Sequence, residues 1–425
     1  MALSKTFQIY PASFISKHYA KEREALRHRG GLRQQRRTLM AKLSLRSALL
    51  PALLTLLTAS YAARAATPLP TANTPTLEMV FVLDTTGSMG GLLDGAKQKI
   101  WSIVNSVQQS AHPPRVRVGL VAYRDHGDDY VTRVTPLTSD LDKIYTTLMT
   151  YQAVGGGDTP EDVRQALSDG VRKGGWSARS PHTAQVLFLV GDAPPHNDYA
   201  QEPDTLTTAA LAAKRGIVIN TIECGSAEDT RIAWQKIAGH AEGAFFAIEE
   251  NGGVQVTPTP YDKPLAKLGS ALGQTYTAYG GGGFAGGAGA YQARSAKRQA
   301  YAESTVAAAA PAPADRALNK ALNSEAYAGD LMQSLENGSV KLKDVKPADL
   351  PVAMQKMTPE AREKEIARRL AERKTMRTQI LALSQKRDMF LAAAAKKKSG
   401  GKPPAFDAAV TAALRKQLAP KGIRL

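Results

Sequence analysis

The stretch Val80–Gly91, VFVLDTTGSMGG, decides how the chain is read. Four apolar residues run to Leu83 and stop on Asp84, and two threonines, a glycine and a serine follow. An apolar run of that length suits a buried strand, and LLDGAKQKIWSIVNSV after the Gly-Gly pair suits a helix. The side chains of Asp84, Thr86 and Ser88 therefore fall at a strand's carboxyl end, the edge of an open α/β sheet where ligands bind.

The same alternation continues for about 175 residues. Strands are expected at Leu77–Leu83, Val116–Tyr123, Asp129–Leu137, Ala184–Gly191, Gly216–Glu223 and Ala244–Glu250. Helices are expected between them at Gly95–Gln109, Asp140–Tyr151, Pro160–Lys173, Asp204–Arg215 and Glu228–Gly239. This order predicts a doubly wound, mainly parallel six-stranded sheet with helices on both faces. Asp129–Leu137 suits an antiparallel edge, because Pro136 cannot donate to a ladder on both sides.

At 425 residues and 43% apolar content the chain is long enough for two or three units. Its formal charge of +17 would suit nucleic acid if it were spread evenly, but residues 1–65 carry +10 and residues 361–425 carry +12, leaving −5 between them. Nucleic acid is not an expected partner. From Met40 a basic segment with Lys42 and Arg46, a short apolar run and Ala63-Arg64-Ala65 describe a secretory signal over 40–65, too short for a spanning helix. Residues 1–39 are then an unstructured start-site extension, and the mature chain begins near Ala66 with no lipid-anchoring cysteine and no transmembrane segment. The expected location is periplasmic or secreted. Cys224 is the single cysteine and reads as a buried, inert thiol.

The sheet domain is expected over 77–275. Residues 277–314, rich in Gly, Ala and Pro, read as a flexible linker, and 315–425 as a helical region with a basic tail. Thr358-Pro359-Glu360 opens a helix there, along which Ile366, Leu370, Ile380, Leu383 and Phe390 form an apolar stripe of coiled-coil type. Its basic face suits a solvated surface or an anionic envelope contact.

Three loops carry the chemistry: Asp84-Thr85-Thr86-Gly87-Ser88, then GGGDTPEDV with Asp158 and Thr159, then Asp192 at the end of another apolar run. All fall at strand ends or helix starts and should meet on one sheet edge. Carboxylates and hydroxyls make a hard, all-oxygen site that favours Mg²⁺, with Mn²⁺ or Ca²⁺ as alternatives, and disfavours zinc. Asp84, Thr86 and Ser88, at alternate positions of a tight turn, can converge on one point.

With these elements the sequence resembles the von Willebrand factor type A family, whose metal-ion-dependent adhesion site has an Asp-x-Ser-x-Ser loop, a separate Thr or Asp, and a later Asp. The resemblance covers about 77–275. It implies that Thr86 and Ser88 bind Mg²⁺ directly, that Asp84 and Asp192 act largely through water, and that one position stays open for a partner's Asp or Glu. The middle ligand is Asp158 or Thr159, with Asp158 favoured. Arg124, Asp125, His126 and His196 are candidate rim residues, although a structural role for the Arg124–His126 loop competes with that reading.

Enzymatic readings are weak. Ala96 stands where a phosphate-binding loop needs lysine, no HExxH or GxSxG occurs, and no histidines pair at helical i, i+4 spacing. A metal-dependent hydrolase would have only His196 or Asp158 as its base. The expected function is non-catalytic: an Mg²⁺-dependent adhesion-type module of the bacterial envelope that captures an acidic side chain of a protein. The alternative is an envelope scaffold whose basic helical tail makes the main contact.

Overall fold

The computed structural model describes residues 74–248, 257–283, 285–304, 312–323, 325, 327, 329–398 and 405–425. The expected leader and the extension before it lie outside the described residues.

The first strand, β1 (Thr76–Asp84), is followed by a single 3₁₀ turn (Gly87–Gly91) and α1 (Leu93–Gln108). Next come β2 (Arg115–Tyr123), β3 (Thr132–Thr138), α2 (Leu141–Thr150), α3 (Val163–Lys173) and β4 (Thr183–Gly191). The sheet region ends with α4 (Thr205–Arg215), β5 (Ile217–Cys224), α5 (Glu228–His240) and β6 (Phe245–Ile248). The strand order is β3-β2-β1-β4-β5-β6, and only β3 runs antiparallel to its neighbour. Fold class, strand order of appearance and the antiparallel edge agree with the reading from sequence. The calls at Glu249 and Glu250 lie outside the described residues.

The period of two along β1 divides the core. Leu77, Met79, Phe81 and Leu83 pack with α1 and α2 on one face, whereas Val80 and Val82 pack with α3, α4 and α5 on the other. With both faces covered, β1 and β4 are apolar almost throughout, as central parallel strands must be. Cys224 is buried on β5 without a disulfide partner, and burial pushes its thiol far above its ordinary range.

The region beyond the sheet corrects the expected division of the chain. It comprises α6 (Asp262–Gln274), α7 (Gly287–Ser304), α8 (Ala312–Leu322), α9 (Leu331–Glu336), α10 (Val352–Gln355), α11 (Pro359–Lys398) and α12 (Ala405–Leu418). Thus α7 and the start of α8 occupy the span read as a flexible linker, residues 284 and 305–311 lying outside the described residues. Small side chains here serve helix formation and close approach. A Cβ on Gly281, at φ +89°, would lie 2.5 Å from Cβ of Tyr291, and one on Gly269 would lie 2.6 Å from that of Ala317. The backbone N–H groups of Gly280 and Gly282 are held by the carbonyl and the carboxylate of Asp349, each at 2.7 Å.

Nor are the later helices a separate arm. The described residues from Thr74 to Leu425 form one compact unit. Val410, Leu414 and Leu418 of α12, with Ile423 after it, are buried in the same core as Phe81 and Trp101. On α8, Arg316 donates to both carboxylate oxygens of Asp142 on α2 at 2.7 and 2.6 Å, and Asn319 donates to Asn105 of α1 at 3.2 Å. The apolar stripe of α11 is used inside the chain: Ile380 packs with Leu265, Leu272, Ala314 and Ala317, and Ile366 with Leu331 and Leu350. Phe390 stays 40% exposed. No helix among the described residues is long and apolar enough to cross a membrane.

Candidate metal centre

The carboxyl edge of β1 and β4 brings three loops together. Asp84, the last residue of β1, is fully buried, and its Oδ1 accepts from the backbone N–H and the hydroxyl of Thr86 at 2.9 and 2.7 Å. Thr86 Oγ1 lies 3.1 Å from Ser88 Oγ, which donates to Oδ1 of Asp192 at 3.0 Å. Asp84, Thr86, Ser88 and Asp192 therefore form one continuous line of oxygens, as their spacing predicts.

The two carboxylates oppose each other electrostatically. Burial, and then the charge of Asp192, push Asp84 up to about 7, against the hydrogen bonds from Thr86 that favour its charged form. Burial likewise raises Asp192. Acids held this way beside two hydroxyls are the donor set a hard divalent cation would relieve, so the residues present fit Mg²⁺.

The middle element differs from expectation. Asp158 and Thr159 are exposed and make no hydrogen bond to this line; the acid that reaches it is Glu161, three residues further on and only 2% exposed. Burial and the charge of Asp84 push Glu161 up to about 8, while the Thr86 side chain pulls the other way. Gly156 makes room for this approach: with φ at +73°, its Cβ would fall 2.8 Å from Glu161 Oε1 and 3.0 Å from Thr86 Cβ. Backbone bonds from Glu161 N–H to Pro194 O and from His196 N–H to Glu161 O, both 3.1 Å, hold the segment against the Asp192 loop. The sequence carries no local signal that singles out Glu161, because these backbone bonds join loops remote in the chain. Glu161 is the residue before Asp162, whose carboxylate caps α3 by accepting from Gln165 N–H at 2.8 Å.

The expected rim residues divide into two roles. Arg124 is structural: it donates to the carbonyls of Thr85 at 3.2 Å and Gln152 at 3.1 Å, and its guanidinium sits 4.6 Å from the Tyr130 ring. Asp125, His126 and His196 instead gather around Tyr199, which reasoning from sequence missed. Its ring stacks between the two imidazoles at 4.2 and 4.1 Å, and its hydroxyl donates toward both oxygens of Asp125 at 2.9 and 3.0 Å. His126 Nε2 lies 2.9 Å from Glu202 Oε1 and 3.2 Å from Asp162 Oδ2.

Residues 78–257 match the family model of the von Willebrand factor A domain. The matched span runs through β1 to β6, so this part of the chain is similar to von Willebrand factor A domains, which generally serve as protein-interaction modules. It is similar to von Willebrand factor A domain-containing protein 7 of Rattus norvegicus, with 42% identity over 94 residues, 22% of this chain and 10% of that protein. A putative ariadne-like RING finger protein of Acanthamoeba polyphaga mimivirus is 27% identical over 143 residues, 32% of this chain and 13% of that protein. The chain therefore spans about a tenth of the length of these curated relatives. Among solved structures it is similar to the SpRpn10 VWA domain, at 15% identity and a TM-score of 0.32 over 45% of this chain and 95% of that one. The protein BatB of Bacteroides thetaiotaomicron gives 17% identity and a TM-score of 0.31 over 41% and 90%.

The raised carboxyls give a pH prediction for the ion-free protein. Asp84 and Glu161 start from 3.8 and 4.5 and rise to about 7 and about 8 on folding, so between those limits the folded chain holds protons that the unfolded chain has released. Stability in EDTA should then fall as pH rises from about 4 to about 8, by an amount on the order of 4 kcal/mol for Asp84 alone. Thermal melts in EDTA at pH 5 and pH 8.5 should show a clearly larger loss in wild type than in Asp84→Asn. Equal losses would mean that Asp84 does not titrate in this range.

Proposed function

We propose that the chain is an Mg²⁺-dependent protein-interaction module of the bacterial cell envelope, exported by the Met40–Ala65 signal, which captures an acidic side chain of a partner protein. The observation that carries the reading is the buried Asp84 joined through Thr86 and Ser88 to Asp192 in one line of oxygens at the sheet edge. Thr86 and Ser88 would bind the ion through their hydroxyls, and Asp84 and Asp192 would hold its water ligands. The ion would supply a positive, partly open position for a carboxylate. Glu161 adds a third acid beside this position and would moderate its pull on an external acid, favouring reversible capture.

The basic helical tail is a weaker candidate for the main contact. Arg373 pairs with Asp330, Arg377 with Glu336, and Arg387 with Asp262 and Asp315, so part of the positive charge on α11 is neutralised inside the fold. We further propose that the module is not an enzyme.

The test is a pull-down from envelope extract with the full chain, comparing Mg²⁺ with EDTA and wild type with Asp84→Ala. Proteins retained only by wild type in Mg²⁺ are expected. The same set retained in EDTA and by Asp84→Ala would defeat the ion-dependent reading and return the contact to the helices.

A further inference from the structure

Beside the all-oxygen line lies a second cluster of a different chemical kind. Asp125 follows β2, Asp158 precedes α3 and His196 follows β4, so three loops converge on one point of the sheet edge. One carboxylate oxygen from each aspartate and a ring nitrogen of His196 all lie within 4.8 Å of one another. Asp125 and His196 are buried, and Asp158 is exposed, which leaves the cluster open on one side.

The orientation of His196 points to a ligand. Its Nδ1 lies 2.8 Å from Oδ1 of Asp198. Its ring is stacked on Tyr199, and its backbone N–H is bound to Glu161 O. The imidazole is thereby fixed from three directions, with Nε2 turned toward the two aspartates. That nitrogen is buried and makes no hydrogen bond, although Asp125 Oδ2 is 3.4 Å away. A carboxylate on the far ring nitrogen is the arrangement that sets the tautomer and raises the basicity of metal-bound histidines. Asp125 is held in turn by the Tyr199 hydroxyl.

We propose that Asp125, Asp158 and His196 form a second cation site, separate from the Asp84–Ser88–Asp192 line, that takes a first-row transition ion with Zn²⁺ foremost. One imidazole and two carboxylates with an open side suit Zn²⁺ and its neighbours, whereas Mg²⁺ prefers oxygen alone. The site reassigns Asp158: expected as the middle ligand of the Mg²⁺ site, it serves the second ion, and Glu161 takes its place at the first. The neighbouring group of His126, Asp162 and Glu202 is less suited to an ion. There the imidazole nitrogen nearest the acids already bonds Glu202 at 2.9 Å, which closes the group as an ion pair.

The experiment is calorimetric titration of the full, tag-free chain, stripped with EDTA and dialysed, with ZnCl₂ as the probe. Wild type should bind one tight equivalent. His196→Ala should lose it, and so should Asp158→Asn, whose exposed position removes folding as an explanation. Asp84→Ala and His126→Ala should keep it. Asp198→Asn should weaken it about 10- to 100-fold, because the aspartate acts through the imidazole. Unchanged Zn²⁺ binding in both His196→Ala and Asp158→Asn would overturn the proposal, as would a loss confined to His126→Ala or to Asp84→Ala.

Discussion

A chain ending at Thr275 is expected to lose cooperative folding, although it retains all six strands. Truncation removes Val410, Leu414, Leu418 and Ile423, each no more than 3% exposed, from the core that β1 and α1 share. At about 1.5–3 kcal/mol for each fully buried aliphatic side chain, the loss is on the order of 6–12 kcal/mol, comparable to the whole stability of a typical domain. The same cut strands Asp142 of α2, buried and partnered by Arg316 and Lys320 of α8. Circular dichroism melts of the two chains would measure this. A truncated chain that melts cooperatively within a few degrees of the full one would show that the helices are appended and not integral.

The second large effect is expected inside the helical layer. Arg373 and Asp330 are both fully buried and 2.5 Å apart, and Arg373 also donates to Oγ1 and O of Thr275 at 2.7 and 3.0 Å. Arg373→Met would leave the Asp330 carboxylate in the interior without its counter-charge, a change that costs about 3–5 kcal/mol. Adding Asp330→Asn should recover part of the loss. Oδ1 of that carboxylate accepts from Thr277 N–H at 2.7 Å and Oδ2 from Gln333 N–H at 3.2 Å, and the amide oxygen can keep one of the two, so the recovery is incomplete. Chemical denaturation of the two single variants and the double variant gives the coupling directly. If Arg373→Met costs less than about 1 kcal/mol, water reaches this pair and the helical layer is looser than described.

The sheet was legible because its strands are short apolar runs separated by helical periodicity, and two-face burial leaves that pattern undiluted in β1 and β4. The line from Asp84 to Asp192 was legible for the same reason: oxygen donors at the ends of such runs can only gather at one edge. The place of Glu161 beside that line was not legible because GGGDTPEDV offers three acids within five residues, and composition does not say which of them an extended segment turns inward. The register is set by Glu161 pairing with Pro194 and His196, a contact between loops remote in sequence. Tyr199 was missed for a related reason, since stacking between two histidines leaves no periodic mark.

The division of the chain failed where amino-acid size was taken as a measure of burial. Alanine and glycine around α7 and α8 bring backbones close together instead of filling space, and the polar ties that fix them, Arg316 to Asp142 and Arg387 to Asp262 and Asp315, join residues far apart in the sequence. A charge count of the tail records the arginines but not their buried partners.

The central claim is that the line from Asp84 through Thr86 and Ser88 to Asp192 holds a divalent ion, and thermal melts of wild type and Asp84→Ala with and without Mg²⁺ test it most directly. Wild type should gain stability as RT ln(1 + [L]/Kd), about 1.4 kcal/mol at ten times Kd, and Asp84→Ala should gain almost nothing while keeping its fold. An equal gain in both proteins, or no gain in wild type at millimolar Mg²⁺, would contradict the account and leave the line as a polar turn at the end of a strand.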